Sequence, residues 1–383
     1  METIIKGRYT LKIDRERIAE ARERVTRYYS KQKVDRLPFM YHASVGDIPN
    51  YNQREILEDT DKLIEQNIAR INAQTEAFAD TDFLPYLDLA FLGQGFIPSM
   101  FGAEQYTVEY APPFIKGRLM KNIYELDKIP TRINPETDGW GPNMKDICEK
   151  FLDATNCEIP VAVSDHQSPY GIATKIIENE ELMMAMYDEP ELVHKLFDIV
   201  TTGIEDTIDA MLKWFGKENV VTNVSVPVPE QNGLIIWDDY ISVITPKLHT
   251  EFCQPYNRRL YDKYGRGHLH TCGPYFPGYI DACLACNPVS MDITIMRGMA
   301  RYKDDLLEFR RVTKEAGVIL KGSPIYTTSE SVCSGTWERL SDEELHYMAD
   351  GGLFCIDGGV KEDGAERTKH WHKLTRDLVN VWD

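Results

Sequence analysis

The sequence predicts an α/β protein of the (β/α)8, or TIM, barrel class with an N-terminal helical extension, and three observations lead there. Short runs of β-forming residues bounded by turn residues recur along the chain, each followed by a longer stretch with helical period. The runs number eight, which suits a parallel sheet closed on itself better than an open doubly wound one. No Pro/Gly/Ser-rich linker, repeat or low-complexity tract divides the chain, so residues 1–36 read as the extension and residues 37–383 as one barrel domain.

Taken in order, the extension is charged and carries Ile13, Ile18, Ala21, Val25 and Tyr28 on one side of a helical pattern. The first strand follows Leu37-Pro38 as Phe39 to His42. The others are expected over Phe83 to Phe91, Ile159 to Ser164, Val220 to Val228, Gly267 to Cys272, Ser290 to Thr294, Val318 to Ser323 and Leu353 to Asp357. No G-x-G-x-x-G follows any of them and no G-x-x-x-x-G-K-[ST] occurs, so dinucleotide and P-loop sites have no support.

Composition narrows the function. Of the 383 residues, 27% are charged and 43% hydrophobic, ordinary usage for a globular protein. The formal net charge of −18 argues against a nucleic-acid binder, which needs clustered Lys and Arg to neutralise phosphates. The first residues lack an apolar signal core and no later run is long enough to span a bilayer, so a cytoplasmic protein without membrane attachment is expected. The eight cysteines then read as thiols or ligands rather than as a disulfide framework. Cys283 and Cys286 form a C-x-x-C near the end of a predicted helix, where they read as structural. His194, His370 and His372 also read as structural or surface residues, and Trp237-Asp238-Asp239 as loop packing with a helix cap.

In a barrel, functional groups collect at the C-terminal ends of the strands. The polar residues there are His42, Asp88, Asp165, His166, His270, Cys272, Asp292, Ser323, Cys355 and Asp357. Gly267-His268-Leu269-His270-Thr271-Cys272-Gly273 is the densest stretch. Alternate side chains of a strand share a face, so His270 and Cys272 point together, and imidazole with thiolate is a donor pair that Zn²⁺ prefers. Zinc in such a site stabilises a substrate thiol as thiolate, the nucleophile of alkyl transfer to sulfur. A third donor is needed, and the sixth and eighth strands offer Asp292, Cys355 and Asp357. Without metal, the same strand ends could present carboxylates for proton transfer to a bound acid.

From about Leu37 onward the chain resembles the uroporphyrinogen decarboxylase superfamily, and within it the zinc-dependent corrinoid methyltransferase branch. The resemblance is carried by Arg36-Leu37-Pro38-Phe39-Met40, Ser168-Pro169-Tyr170-Gly171-Ile172-Ala173, Tyr187-Asp188-Glu189-Pro190-Glu191-Leu192-Val193-His194, Trp237-Asp238-Asp239, Thr245-Pro246 through Pro255-Tyr256 and, most specifically, His270-Thr271-Cys272-Gly273. It implies a (β/α)8 barrel in which His270 and Cys272 are the first two zinc ligands. The branch takes its third ligand from a cysteine in the last strand region, here Cys355, with Asp292 or Asp357 as the alternative. Asp292 also resembles a position where some relatives carry an acidic ligand that yields to substrate, and Asp88 resembles the decarboxylases' essential aspartate. His42, Asp165, His166, Ser323 and Asp357 are expected to line the substrate pocket.

The implied activity is transfer of a methyl group from a methylated corrinoid to a thiol or similar small-molecule acceptor. The corrinoid would arrive on a partner protein, because no Asp-x-His-x-x-Gly cobalamin motif occurs in this chain. A homodimer is compatible with this reading. The alternatives are a decarboxylase-like lyase acting on a carboxylic acid and a non-catalytic barrel that binds a corrinoid protein. An octacarboxylate substrate demands an arginine-rich cleft, and Tyr41 to Asn50, after the first strand, contains no arginine.

Overall fold

Thr3-Ile4-Ile5 and Tyr9 to Ile13 are rich in β-branched and aromatic residues, and Gly7 between them adopts φ +56°, so the chain starts as a hairpin. This computed structural model describes residues 1–41, 46–163, 166–222, 233–271, 278–292, 303–322, 340–357 and 364–378. Strands β1 (Glu2–Lys6) and β2 (Tyr9–Ile13) pair antiparallel. Leu11 and Ile13 are buried on one face of β2, while Asn72 takes the Lys12 N–H at 2.7 Å and donates to the Thr10 carbonyl at 2.8 Å. The extension is therefore a strand hairpin followed by a helix, where helix alone was expected for residues 1–36. Period-two alternation prevails over Thr3–Ile13, and the helical pattern begins only after Asp14.

That helix, Arg15–Tyr29, opens where the Asp14 carboxylate accepts from the Arg17 N–H, and it buries Ile18, Ala21, Val25 and Tyr28 along one stripe. Behind it sits a buried anion. Asp82 is wholly inaccessible and takes charge-assisted bonds from Arg24 at 2.5 Å and Arg36 at 2.6 Å, together with the Phe39 N–H at 2.8 Å. The carboxylate thereby ties the extension to β3 (Phe39–Tyr41).

The remaining strands are β4 (Gln105–Tyr106), β5 (Phe114–Ile115), β6 (Val161–Ala162), β7 (Val220–Val221), β8 (Ile236–Trp237), β9 (His268–His270), β10 (Ser290–Asp292), β11 (Ile319–Gly322) and β12 (Leu353–Asp357). Except for β4 and β5, which form a small antiparallel pair, every pairing from β3 onward is parallel. A six-stranded sheet runs β3-β12-β11-β10-β9-β8, and β6 pairs with β7. Hydrogen bonds step across the gap between them. The Asp82 N–H donates to Phe39, Ala162 to Leu87, Val163 to Val221, and Ile235 to Thr222. Helices intervene between the strands, the longest being Pro190–Phe215, which buries Val193, Leu196, Phe197, Val200, Ile204, Ile208 and Met211. None of the helices among the described residues is long and apolar enough to cross a membrane.

Two strand expectations are corrected. Phe83 to Phe91 is not a continuous strand: only Leu87 makes a bridge, to Val161, and Ala90–Leu92 turns as a 3₁₀ helix. Pro85 removes a ladder donor from the middle of that run. Conversely, β8 was not anticipated, although Leu234-Ile235-Ile236-Trp237 after Gly233 is a run of β-formers. Of the expected Val220 to Val228 strand, Val220–Val221 is present and residues 223–232 lie outside the described part.

Cys283 and Cys286 are fully buried at the end of the helix Tyr279–Ala285, consistent with a structural role. His194 donates to or accepts from the Tyr256 hydroxyl at 3.0 Å and stacks on Phe252, and His370 is an exposed partner of Asp342. His372 differs from expectation. Its ring is half-buried and meets Phe39 edge to face at 5.8 Å, and burial lowers its pKa.

Candidate metal centre

The site begins with the alternation of two neighbouring strands. In β9 the side chains of His268 and His270 share one face while Leu269 enters the core on the other. In β10 Ser290 and Asp292 do the same around Met291, and the register pairs Ser290 with His268 and Met291 with Leu269. Parallel pairing therefore carries Asp292 alongside His270. Ligand atoms of His268, His270 and Asp292 lie within 4.8 Å of one another, and this is the group of such donors found among the described residues.

The contacts are tight. His270 Nδ1 bonds Asp292 Oδ2, and His268 Nε2 lies 3.1 Å from Asp292 Oδ1. That second contact falls outside hydrogen-bond geometry, so His268 Nε2 is a buried polar atom held near the carboxylate without a formal bond. His268 Nδ1 meets the Ser290 hydroxyl at 2.9 Å. In the tautomer that donates this Nδ1–H to Ser290, the Nε2 lone pair faces a carboxylate oxygen, an arrangement that a cation between them resolves. On β11, paired in register with Asp292, Lys321 brings its Nζ to 3.3 Å from the same Oδ1.

Protonation favours ligation. Burial pushes the His268 imidazole down to about 4 against the opposing pull of Asp292, so the ring is neutral near pH 7. Burial alone would raise the Asp292 carboxyl, but Lys321, His268 and His270 together outweigh it and hold the group well below the usual carboxylate range. Neutral imidazole and ionised carboxylate are the forms that bind a metal. His268 and Asp292 are almost wholly buried, and His270 keeps a 21% exposed side chain at the edge.

A second layer comes from the turn after β8. Asp239 Oδ1 stands 3.7 Å from His270 Nε2. Its neighbour Asp238 points into the interior, accepting from Ser168 Oγ at 3.1 Å and Asn257 Nδ2 at 2.8 Å, with His249 Nε2 at 3.0 Å. The Asp238 N–H also donates to the His270 carbonyl at 2.8 Å. His249 lies in a single π-helical turn, His249–Cys253, a local widening common near functional sites. Trp237-Asp238-Asp239, expected chiefly to pack a loop and cap a helix, thus lies directly against the site.

The sequence-predicted residues distribute unevenly. His270 and Asp292 come together. Asp88 accepts from the Ala90 N–H at 2.9 Å just ahead of the 3₁₀ turn, while His166 is 1% exposed, its ring edge-on to Trp237 at 5.0 Å; neither joins the convergent donors. His42, Asp165, Cys272 and Ser323 lie outside the described residues. Cys355 and Asp357 are described by their backbone in β12, where Cys355 pairs with Gly322 and Phe39, Asp357 pairs with Tyr41, and Phe354 pairs with Lys321. His268, Lys321 and Asp239 were missed. His268 was detectable, because the alternation that aligns His270 with Cys272 also aligns His268 with His270.

A uroporphyrinogen decarboxylase (URO-D) family model matches residues 20–216, a stretch that ends before β8 and the metal cluster. Among solved structures, a methyltransferase from Methanosarcina mazei superposes with a TM-score of 0.55, covering 94% of this chain and 98% of that one at 13% sequence identity. At that identity the likeness is one of fold. No curated protein sequence matches the chain.

Proposed function

This chain belongs to the uroporphyrinogen decarboxylase family, and on that footing we propose that it is a methyltransferase that moves a methyl group from a methylated corrinoid, presented by a partner protein in the cytoplasm, to a zinc-activated thiol or comparable small acceptor. The observation that carries this reading is the convergence of His268, His270 and Asp292 at neighbouring strands. The fold likeness to a methyltransferase supports it, as does the stepwise bonding from β3 through 82–87, β6 and β7 to β8, which suits closure of the parallel sheet into a barrel, with β8 adding a segment to the eight expected.

The donor set fits zinc, with two imidazoles and a carboxylate of borderline and hard character. His270 and Cys272 are the proposed first ligands, Asp292, Cys355 or Asp357 the third, and His268 a further donor from β9, beside His270. Zinc, when bound, would supply the Lewis acidity that lets an acceptor thiol lose its proton near neutral pH. The protein's own groups prepare this. Asp292 is already ionised and His268 already neutral, so no proton must leave them first. Asp239, 3.7 Å from His270 Nε2, stands where a carboxylate would orient a metal-bound imidazole. His42, Asp165, His166, Ser323 and Asp357, with Asp88, are proposed to line the acceptor pocket at the strand ends.

Elemental analysis of the purified protein under reducing conditions tests this directly, together with methyl transfer from methylcobalamin to a panel of thiols. About one zinc per chain is expected. Protein free of zinc after reconstitution with excess metal would sink the proposal.

A further inference from the structure

We propose that Lys321 sets how tightly this centre holds its metal, by competing with the ion for the Asp292 carboxylate. The inference rests on the metal reading above but concerns a residue outside the donor set. Asp292 Oδ1 is approached from one side by Lys321 Nζ at 3.3 Å and from the other by His268 Nε2 at 3.1 Å. An ion bound between His268 and Asp292 would use the oxygen that the ammonium already occupies. Two cations cannot share one buried oxygen without strong mutual repulsion, so the ammonium must withdraw or weaken the metal bond.

The geometry allows withdrawal. β11 fixes the Lys321 backbone beside Asp292 through strand pairing, whereas the side chain is a flexible four-carbon stem with a 15% exposed side chain. In the metal-free protein the same ammonium neutralises a carboxylate that is 2% exposed, which among the described residues would otherwise be a buried charge beside two imidazoles. Lys321 therefore stabilises the empty centre at the expense of the filled one. An apolar residue there would reverse the balance, favouring the filled state and destabilising the empty one.

The experiment measures the dissociation constant for Zn²⁺ of the full chain by competition with a chromophoric chelator under reducing conditions, for wild type, Lys321→Met, Lys321→Gln, Lys321→Arg, Asp292→Asn and the double variant Asp292→Asn/Lys321→Met. Removing the charge is expected to tighten binding by about tenfold or more, and Lys321→Arg, which keeps it, to stay within about threefold of wild type. In the Asp292→Asn background, Lys321→Met should no longer change the affinity. Lys321→Gln, closer in shape, serves if Lys321→Met fails to fold. Wild-type zinc binding with an unchanged or weaker affinity on loss of the charge overturns this proposal and leaves the metal reading intact. Failure of every variant, wild type included, to bind zinc overturns both.

Discussion

Asp238 and His249 meet at 3.0 Å with neither side chain exposed beyond 1%, and around this pair the turn that carries Asp239 is anchored to the helical layer. Removing the carboxylate strands three buried partners at once: His249, Asn257 and Ser168. Asp238→Ala should cost about 3 kcal/mol in urea unfolding, and Asp238→Asn, which keeps an acceptor oxygen, distinctly less. Because Asp239 follows directly, Asp238→Ala should also weaken zinc binding by about tenfold, measured by chelator competition.

The two histidines of β9 make a sharper test of the metal centre. His268→Ala and His270→Ala should each lower the zinc content found by elemental analysis after dialysis, and Asp292→Asn should do so as well. A variant at His268 that retains full zinc would restrict the ligand set to His270 and donors elsewhere.

Stability should depend on pH through His166. Burial lowers this imidazole to about 4 in the folded chain, against an unfolded value near 6.5. The unfolded chain then takes up the proton first as pH falls. The stabilisation from a neutral His166 is fully present above about pH 6.5 and is lost progressively down to about pH 4, amounting to about 3 kcal/mol. His166→Gln should flatten that part of the profile, read from urea midpoints at a series of pH values.

Asp82 offers a test remote from the site. Its carboxylate is shared by Arg24, Arg36 and the Phe39 N–H in the interior. Asp82→Asn leaves Arg36 without its carboxylate and Arg24 with Asp35 alone, and should destabilise the protein by about 2–3 kcal/mol in denaturant unfolding, with the zinc stoichiometry unchanged.

Gly267 tests the contact between β8 and β9. A Cβ there would come within 2.0 Å of the Leu234 carbonyl oxygen, which is backbone and cannot rotate away. Gly267→Ala should displace β9, with a loss of about 2–4 kcal/mol in unfolding and weakened zinc binding through His268 and His270.

Much of this was legible in the residues because parallel strands buried on both sides read as compact apolar runs. Phe39, Leu269, Met291, Leu320 and Leu353 each mark one. The hairpin Glu2–Ile13 was obscured by charged residues that alternate with its apolar ones, and β8 by the aspartates that follow Trp237 and suggested a cap. In the site, His270 could be proposed from strand alternation and Asp292 from its place at the end of the following strand. Lys321 could not, because its partnership with Asp292 exists only through the lateral register of β10 and β11, separated in sequence by a helix. Asp239 was hidden for a related reason: which of two adjacent aspartates turns inward depends on His249 and Asn257, and no local pattern records that choice.

The pairing of β3 with β12 has an implication for biosynthesis. Phe39 emerges from the ribosome long before Cys355, its neighbour across the ladder. Asp82 follows soon enough to bind one flank of the nascent strand, but the opposite flank stays open until residues 353–357 have been made. Closure of the sheet at β3 thus waits on the synthesis of β12. Prematurely terminated products lacking 353–357 should be found with chaperones or in insoluble material rather than as autonomous folding intermediates.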